Sequence, residues 1–139
     1  MKVLIDTCVI VDSLQNREPF SQSSNKIFLA AANKKIDAYI TAKSLTDIYY
    51  LTQRITHSNE KTREIIQKLL ILYGLLDTAG IDCKKAIVSD ISDYEDAVMI
   101  QTAIRSGMDC IVTRNVKDYA KAPVKIYDPE DFLNAIKEE

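Results

Sequence analysis

The sequence predicts an α/β protein built on one mostly parallel sheet with helices on both faces. Three observations carry this prediction. Short apolar runs of strand length recur, beginning with Val3, Leu4 and Ile5. Between them lie longer stretches with apolar residues at helical spacing. Strand-type and helix-type segments alternate from one end to the other, the pattern of βαβ units.

The elements follow in order. Residues 2–5 form a compact apolar run that Asp6 ends. Asp6 either N-caps the helix that follows or stands at the mouth of a strand-end site, where chemistry gathers in open α/β sheets. Residues 8–14 begin a helix, and polar residues 15–18 with Pro19 interrupt it. Residues 21–34 resume helical spacing, with Ile27, Phe28, Ala31 and Ala32 as the stripe. Residues 36–41 read as a second strand. Ser44 and Asp47 fit a capping box for a helix that buries Leu45, Ile48, Tyr49, Leu51 and Ile55. Ser58 starts another helix running to about residue 76, whose apolar face (Ile65, Ile66, Leu69, Leu70, Leu72, Tyr73, Leu76) is broad enough for a subunit interface.

Gly80 breaks that pattern, and residues 78–82 read as a short third strand. Residues 83–89 read as a short helix. Ser92 and Glu95 again have capping-box chemistry, opening a helix that reaches Ser106 before the terminator Gly107. Residues 109–113 are a fourth strand, followed by a helical turn to Ala120. Residues 124–127 form a fifth. The last helix runs from Pro129, a first-turn proline, to about Lys137 and buries Phe132, Leu133 and Ile136.

At 139 residues the chain is expected to be a single domain, 1–139. A net charge of −2, from 18 basic and 20 acidic residues, gives no global attraction to nucleic acid, so an anion site must be local or metal-assisted. Cys8, Cys83 and Cys110 have no metal-type spacing and read as small hydrophobes, which suits a reducing cytoplasm. No run approaches the roughly 20 apolar residues of a membrane helix. His57, the single histidine, reads as a solvated loop residue.

The residues with chemistry to offer are acids: Asp6, Asp47, Asp93, Glu95, Asp96 and Asp118, with Asn115. Asp93 and Asp96 share a helix face, and Glu95 points elsewhere. Singly, each has a bland role, since acids in a first helical turn complement the helix dipole. The combination is more specific. The opening stretch from Val3 through Asp6 and Thr7 to Asp12, then Ser44 to Asp47, then Asp93 to Ala97, then Ile111 to Tyr119, resemble in order the four sequence blocks of the PIN-domain ribonucleases. The likeness is greatest to the VapC-type toxins of type II toxin–antitoxin systems.

The resemblance implies a three-layer α/β/α domain whose five-stranded parallel sheet has the order 3-2-1-4-5. In that order the crossovers diverge between the first and fourth strands, opening a crevice. It implies a Mg²⁺- or Mn²⁺-dependent endoribonuclease with Asp6, Asp47, Asp93 and Asp96 as catalytic residues and metal ligands. Asp6 and Asp96 are then core ligands, and Asp47 and Asp93 direct or water-mediated ones. Thr113, Asn115 and Asp118 would support the site, and Arg114 and Lys117 would contact RNA phosphate. A small antitoxin, a homodimer and a cytoplasmic location are implied as well. Asp47 stands where the family more often has Glu, and Asn115 where many members have Asp, which weakens a second metal position. Three alternatives stay open: a housekeeping RNA-processing nuclease of the same fold, a non-catalytic PIN-like binding module, and an acidic-pocket phosphotransfer domain. The last is disfavoured because Lys125 falls inside the final strand rather than at its end.

Overall fold

The computed structural model describes residues 1–119 and 121–137. In chain order the elements are β1 (Lys2–Ile5), α1 (Thr7–Leu14), α2 (Ser21–Ala32), β2 (Asp37–Thr41), α3 (Ala42–Thr56), α4 (Asn59–Leu72), β3 (Gly74–Leu76), α5 (Gly80–Ile87), α6 (Tyr94–Arg105), β4 (Cys110–Val112), a 3-10 turn (Val116–Tyr119), β5 (Lys125–Tyr127) and α7 (Pro129–Lys137). The five strands form one parallel sheet in the order β3-β2-β1-β4-β5. This is the α/β architecture expected, with the expected strand order. Among the described residues no helix is long and apolar enough to cross a membrane.

β1 is central because it is buried on both sides. Val3 and Ile5 enter a core formed with α1, α2, α3, α4 and α7, while Leu4 enters a second core with α6 and Tyr119. Alternate side chains of a strand point to opposite faces. Covering both faces requires a continuous apolar run, and all three residues are fully buried.

Four expectations need correction. The third strand is Gly74–Leu76, not residues 78–82, and α4 ends at Leu72 rather than at residue 76. The chain leaves the helix at Tyr73, which turns extended and buries its ring. A Cβ on Gly74 would lie 2.5 Å from the Tyr39 ring, so glycine lets β3 close onto β2. Thr41, not Ser44, caps α3. Its hydroxyl accepts from the Ser44 N–H at 3.1 Å and donates to the Ser44 hydroxyl at 2.9 Å. β2 therefore runs straight into α3, Ser44 is buried, and Asp47 sits in the second turn. Asp93, not Ser92, caps α6 by accepting from the Asp96 N–H at 3.0 Å.

The fourth correction concerns the apolar faces. Ile66, Leu69 and Tyr73 enter the core, whereas Ile71 is 87% exposed. Much of the breadth of α4 is thus ordinary core, and a shorter strip of Leu70, Ile71 and Leu75 faces outward. Ile55 and Ala32 are also exposed rather than buried. The cap at Ser58 and the terminator Gly107, at φ 69°, stand as expected.

The position of α6 decides where its acids go, and a buried ionic clamp sets that position. Asp82 of α5 is almost wholly buried. It accepts from Arg105 Nε at 2.9 Å, from the Thr102 hydroxyl at 3.0 Å and from the Ala79 N–H at 2.9 Å. Arg105 also donates to the Asp77 carbonyl at 2.6 Å. Burial alone would raise the Asp82 carboxyl, but Arg105, the Ala79 N–H and the Thr102 hydroxyl hold it below the usual carboxylate value. Asp82→Ala strands those donors and should destabilise the fold by about 1–3 kcal/mol in urea unfolding. Because the folded value is depressed, the Asp82 contribution is present above pH ~4 and lost as pH falls below it. The difference between wild type and variant should therefore shrink at acid pH.

Candidate active site

Asp6 is the first residue beyond β1, and its backbone is still part of the sheet. Its N–H donates to the Val112 carbonyl at 2.9 Å, extending the β1–β4 ladder by one residue. Its side chain is 7% exposed. One carboxylate oxygen accepts from the Thr7 N–H at 2.7 Å, which caps α1. The other accepts from the Thr113 hydroxyl at 2.7 Å and, more weakly, from the Cys8 thiol at 3.5 Å. Thr113 also accepts from the Asn115 N–H at 3.1 Å, which ties the segment after β4 to Asp6. Asp6 thus both caps a helix and faces the crevice between β1 and β4.

That crevice opens into a cavity of about 660 Å³ lined by Asp6, Asp47, Asp93, Glu95, Asp96, Asn115 and Asp118. The structure therefore brings together all four acids singled out from the sequence, with two of their supporting residues. Thr113 contributes through its bond to Asp6. Asp96 accepts from the Tyr119 hydroxyl at 2.9 Å, which fixes one of its oxygens. Glu95 also lines the cleft, contrary to the expectation that it points elsewhere.

The acids feel one another. Burial raises the Asp96 carboxyl to about 6; the Tyr119 hydrogen bond opposes the rise, and the charges of Asp93, Asp6 and Asp118 add to it. Burial also raises Asp6, against hydrogen bonds from Thr113, Thr7 and Cys8 and the charge of Arg114. Cys8 is pushed up to about 11 by burial and by the Asp6 charge, so it is a thiol donor here.

The cations are arranged differently from expectation. Arg114 does not reach for a substrate phosphate. Its guanidinium lies 4.1 Å from the Phe20 ring centre and donates to the fully buried Asp12 at 3.2 Å, with Nε 2.5 Å from the other Asp12 oxygen but off the hydrogen-bond direction. This pair anchors the Thr113–Asn115 segment to α1. Lys117 is exposed on the 3-10 turn, outside the described lining of the cleft. Lys43, which sequence reasoning missed, does line the cleft, as do Arg17 and Arg54. The Lys43 ammonium lies 2.6 Å from Asp47 and 3.0 Å from Glu95, bridging α3 to α6. A lysine one turn before an acid is too common a surface pattern to single it out.

The donor set is all oxygen, which suits a hard cation such as Mg²⁺ or Mn²⁺. Among the described residues no three carboxylate, histidine or cysteine groups stand close enough together to enclose a metal. A cation here fits the open type, held by one or two carboxylates and retaining waters. Asp6 is buried and Asp96 half-buried, burial raises both carboxyls, and Asp47 is engaged by Lys43.

Comparison with known proteins agrees with this fold. A family model described as PIN domain matches residues 2–117. No curated protein matches the sequence significantly. A toxin–antitoxin complex from Klebsiella pneumoniae superposes with a TM-score of 0.68 at 16% identity, covering 91% of this chain and 97% of that one. FitAcB from Neisseria gonorrhoeae gives 0.68 at 17% identity, covering 92% and 98%. VapBC2 from Rickettsia felis, bound to a DNA fragment from its promoter, gives 0.63 at 16%, covering 92% and 98%. At such identities the likeness is one of fold.

The raised Asp96 carboxyl has a measurable consequence. In metal-free protein its carboxyl resonance should titrate near pH 6. Asp93→Asn should lower that midpoint and Tyr119→Phe should raise it. A carboxyl raised above its unfolded value near ~3.9 stabilises the fold most below that value, and the contribution is lost as pH rises through about 6. An Asp96 midpoint in the ordinary carboxylate range would contradict the crowding.

Proposed function

This chain belongs to the PIN domain family, and from that premise we propose that it is a Mg²⁺- or Mn²⁺-dependent endoribonuclease that hydrolyses RNA phosphodiester bonds as the toxin of a toxin–antitoxin pair. The observation that carries the reading is the buried Asp6 carboxylate facing Asp96, Asp93 and Asp118 across one strand-end cleft. Several acids lining one cleft, with no cation paired to Asp93, Asp96 or Asp118 among the described residues, invite a divalent cation. Asp6 and Asp96 would hold it, with Asp93 and Asp47 acting directly or through water. When bound, the ion neutralises the acids toward an anionic backbone and lowers the pKa of a coordinated water.

The protein's own groups prepare that site. Thr113 and the Thr7 N–H orient Asp6, and Tyr119 orients Asp96 by occupying one oxygen and leaving the other toward the cleft. Lys43 neutralises Asp47 and Glu95 on the opposite lip. Asn115 lines the cleft without charge, so the supporting side of the site is weaker in anionic ligands than a fourth Asp would make it. The proposed partners are an RNA substrate, a small antitoxin protein and a second copy of this chain, in the cytoplasm. The toxin role draws on the fold shared with toxin–antitoxin complexes. A housekeeping nuclease of the same fold would use the same residues without an antitoxin.

The deciding experiment pairs catalysis with folding. Asp6→Asn and Asp96→Asn should each lower Mn²⁺-dependent RNA cleavage by a factor on the order of 10² or more, because each removes a charged ligand. Stability of the metal-free protein should hold or rise, since repulsion among the acids is relieved. Asn caps about as well as Asp, so unchanged cleavage in both variants would reduce these residues to helix caps. Asn115→Asp should tighten Mn²⁺ binding. For assembly, the exposed strip of Leu70, Ile71 and Leu75 is one apolar surface that a second copy would cover. Sedimentation should show a dimer that Ile71→Glu weakens; a wild-type monomer at every concentration would remove the self-association.

A further inference from the structure

The acids occupy one end of the cleft, and the other end has a different chemistry. α3 runs along its wall, and Lys43, Asp47, Tyr50 and Arg54 all line it. Their spacings of four, three and four residues place them on one helix face. At about 1.5 Å of rise per residue, Arg54 lies roughly 10 Å beyond Asp47 along the helix. The face thus passes from an acid neutralised by lysine to an aromatic ring and then to a guanidinium. Arg17, from the segment after α1, lines the same cleft.

Among the described residues Tyr50 and Arg54 make no side-chain hydrogen bond or ion pair, whereas Arg17 donates from Nε to the Gln15 side-chain oxygen at 3.1 Å. Tyr50 is 61% exposed, and an edge contact with Tyr49, with ring centres 5.2 Å apart, orients it. Arg105 and Arg114 each have a buried carboxylate partner. Among the described residues Arg54 has no carboxylate within ion-pair distance. Arg17 lies a loose 3.9 Å from Asp12. With a net charge of −2 the chain attracts a polyanion only through local cations, and these stand beside the acids that would repel it.

We propose that this stripe is a nucleotide subsite for single-stranded RNA, in which Tyr50 stacks on a base while Arg54 and Arg17 hold phosphates neighbouring the one presented to the acids. It rests on the nuclease reading for the identity of that presented phosphate. The strand must be unpaired, because a tyrosine ring stacks on a base only when the base face is free. Aromatic stacking with backbone cations tolerates many sequences. The subsite therefore positions RNA and leaves sequence choice to other contacts.

The test is binding of a fluorescently labelled short RNA to the full chain in EDTA, where metal-dependent cleavage is off. Tyr50→Ala and Arg54→Gln should each weaken binding about tenfold, and Tyr50→Phe, which keeps the ring, should stay within about twofold. Arg54→Gln should also lower the salt slope by about 0.7, the loss of one single-strand phosphate contact. With Mn²⁺ and saturating RNA, both variants should keep kcat within about threefold while KM rises as affinity falls. Affinity unchanged in both variants, duplex binding as tight as single-strand binding, or no RNA binding by the wild type overturns the subsite. Absence of wild-type cleavage with any divalent metal instead overturns the nuclease reading and leaves the binding result standing. Intact cleavage with unaltered binding removes the subsite alone.

Discussion

The site depends on a carboxyl group held by directed hydrogen bonds in a place that disfavours its charged form. Asp6 is nearly buried, and burial pushes its carboxyl toward the neutral form. What offsets this is local and directional: the Thr7 N–H on one oxygen and the Thr113 hydroxyl on the other. An acid capping a helix N-terminus also gains from the helix dipole. The Thr113 contact does not exist until β4 has docked beside β1, because Thr113 follows β4 and lies 107 residues from Asp6 in sequence. The sheet order is therefore a condition of the chemistry. A β1 paired differently would leave Asp6 buried with half its hydrogen bonds.

The remaining acids are brought to Asp6 by devices that are not themselves catalytic. Asp82 and Arg105 lock α5 to α6, and Asp93 caps the start of α6, so Asp96 faces the cleft within that first turn. Asp12 and Arg114 hold the segment after β4 against α1, with Phe20 covering the guanidinium. Both are ion pairs with one buried partner. Such pairs add little net stability when desolvation is counted, but they penalise any arrangement that separates them. Here what they specify is where two loops end, and those loops carry Asn115 and Asp93.

Much of this was legible in the sequence, and the failures have physical causes. β1, β4 and the acids after them were clear because buried parallel strands demand continuous apolar runs that end abruptly. β3 was misplaced because Gly74, Leu75 and Leu76 continue the apolar spacing of α4. A three-residue edge strand offers too few residues for an alternation to register. Thr41 was passed over as a cap because Ser44 has the same chemistry three residues later. Only the absence of any loop between β2 and α3 selects the earlier hydroxyl. Lys43 escapes notice because its nearer partner, Asp47, makes an ordinary pair four residues on, while Arg114 pairs with Asp12, 102 residues away and beyond any local pattern.

The placement of charge across the cleft bears on how the acid pocket would accept an anion. A pocket with Asp6, Asp93, Asp96 and Asp118 unopposed repels phosphate, and the chain as a whole offers no compensating field. Compensation must come from inside the cleft. Lys43 supplies part of it on the α3 lip, but its charge is already spent on Asp47 and Glu95. Arg114 is spent on Asp12. The deficit at the acid end is what a divalent cation would relieve, held by one or two carboxylates and retaining its waters. With Asn rather than a further acid at position 115, the charge such an ion would have to balance is smaller. The two ends of the cleft differ in charge: acids gather at the sheet, and arginines lie beyond them, Arg54 on α3 and Arg17 in the segment after α1.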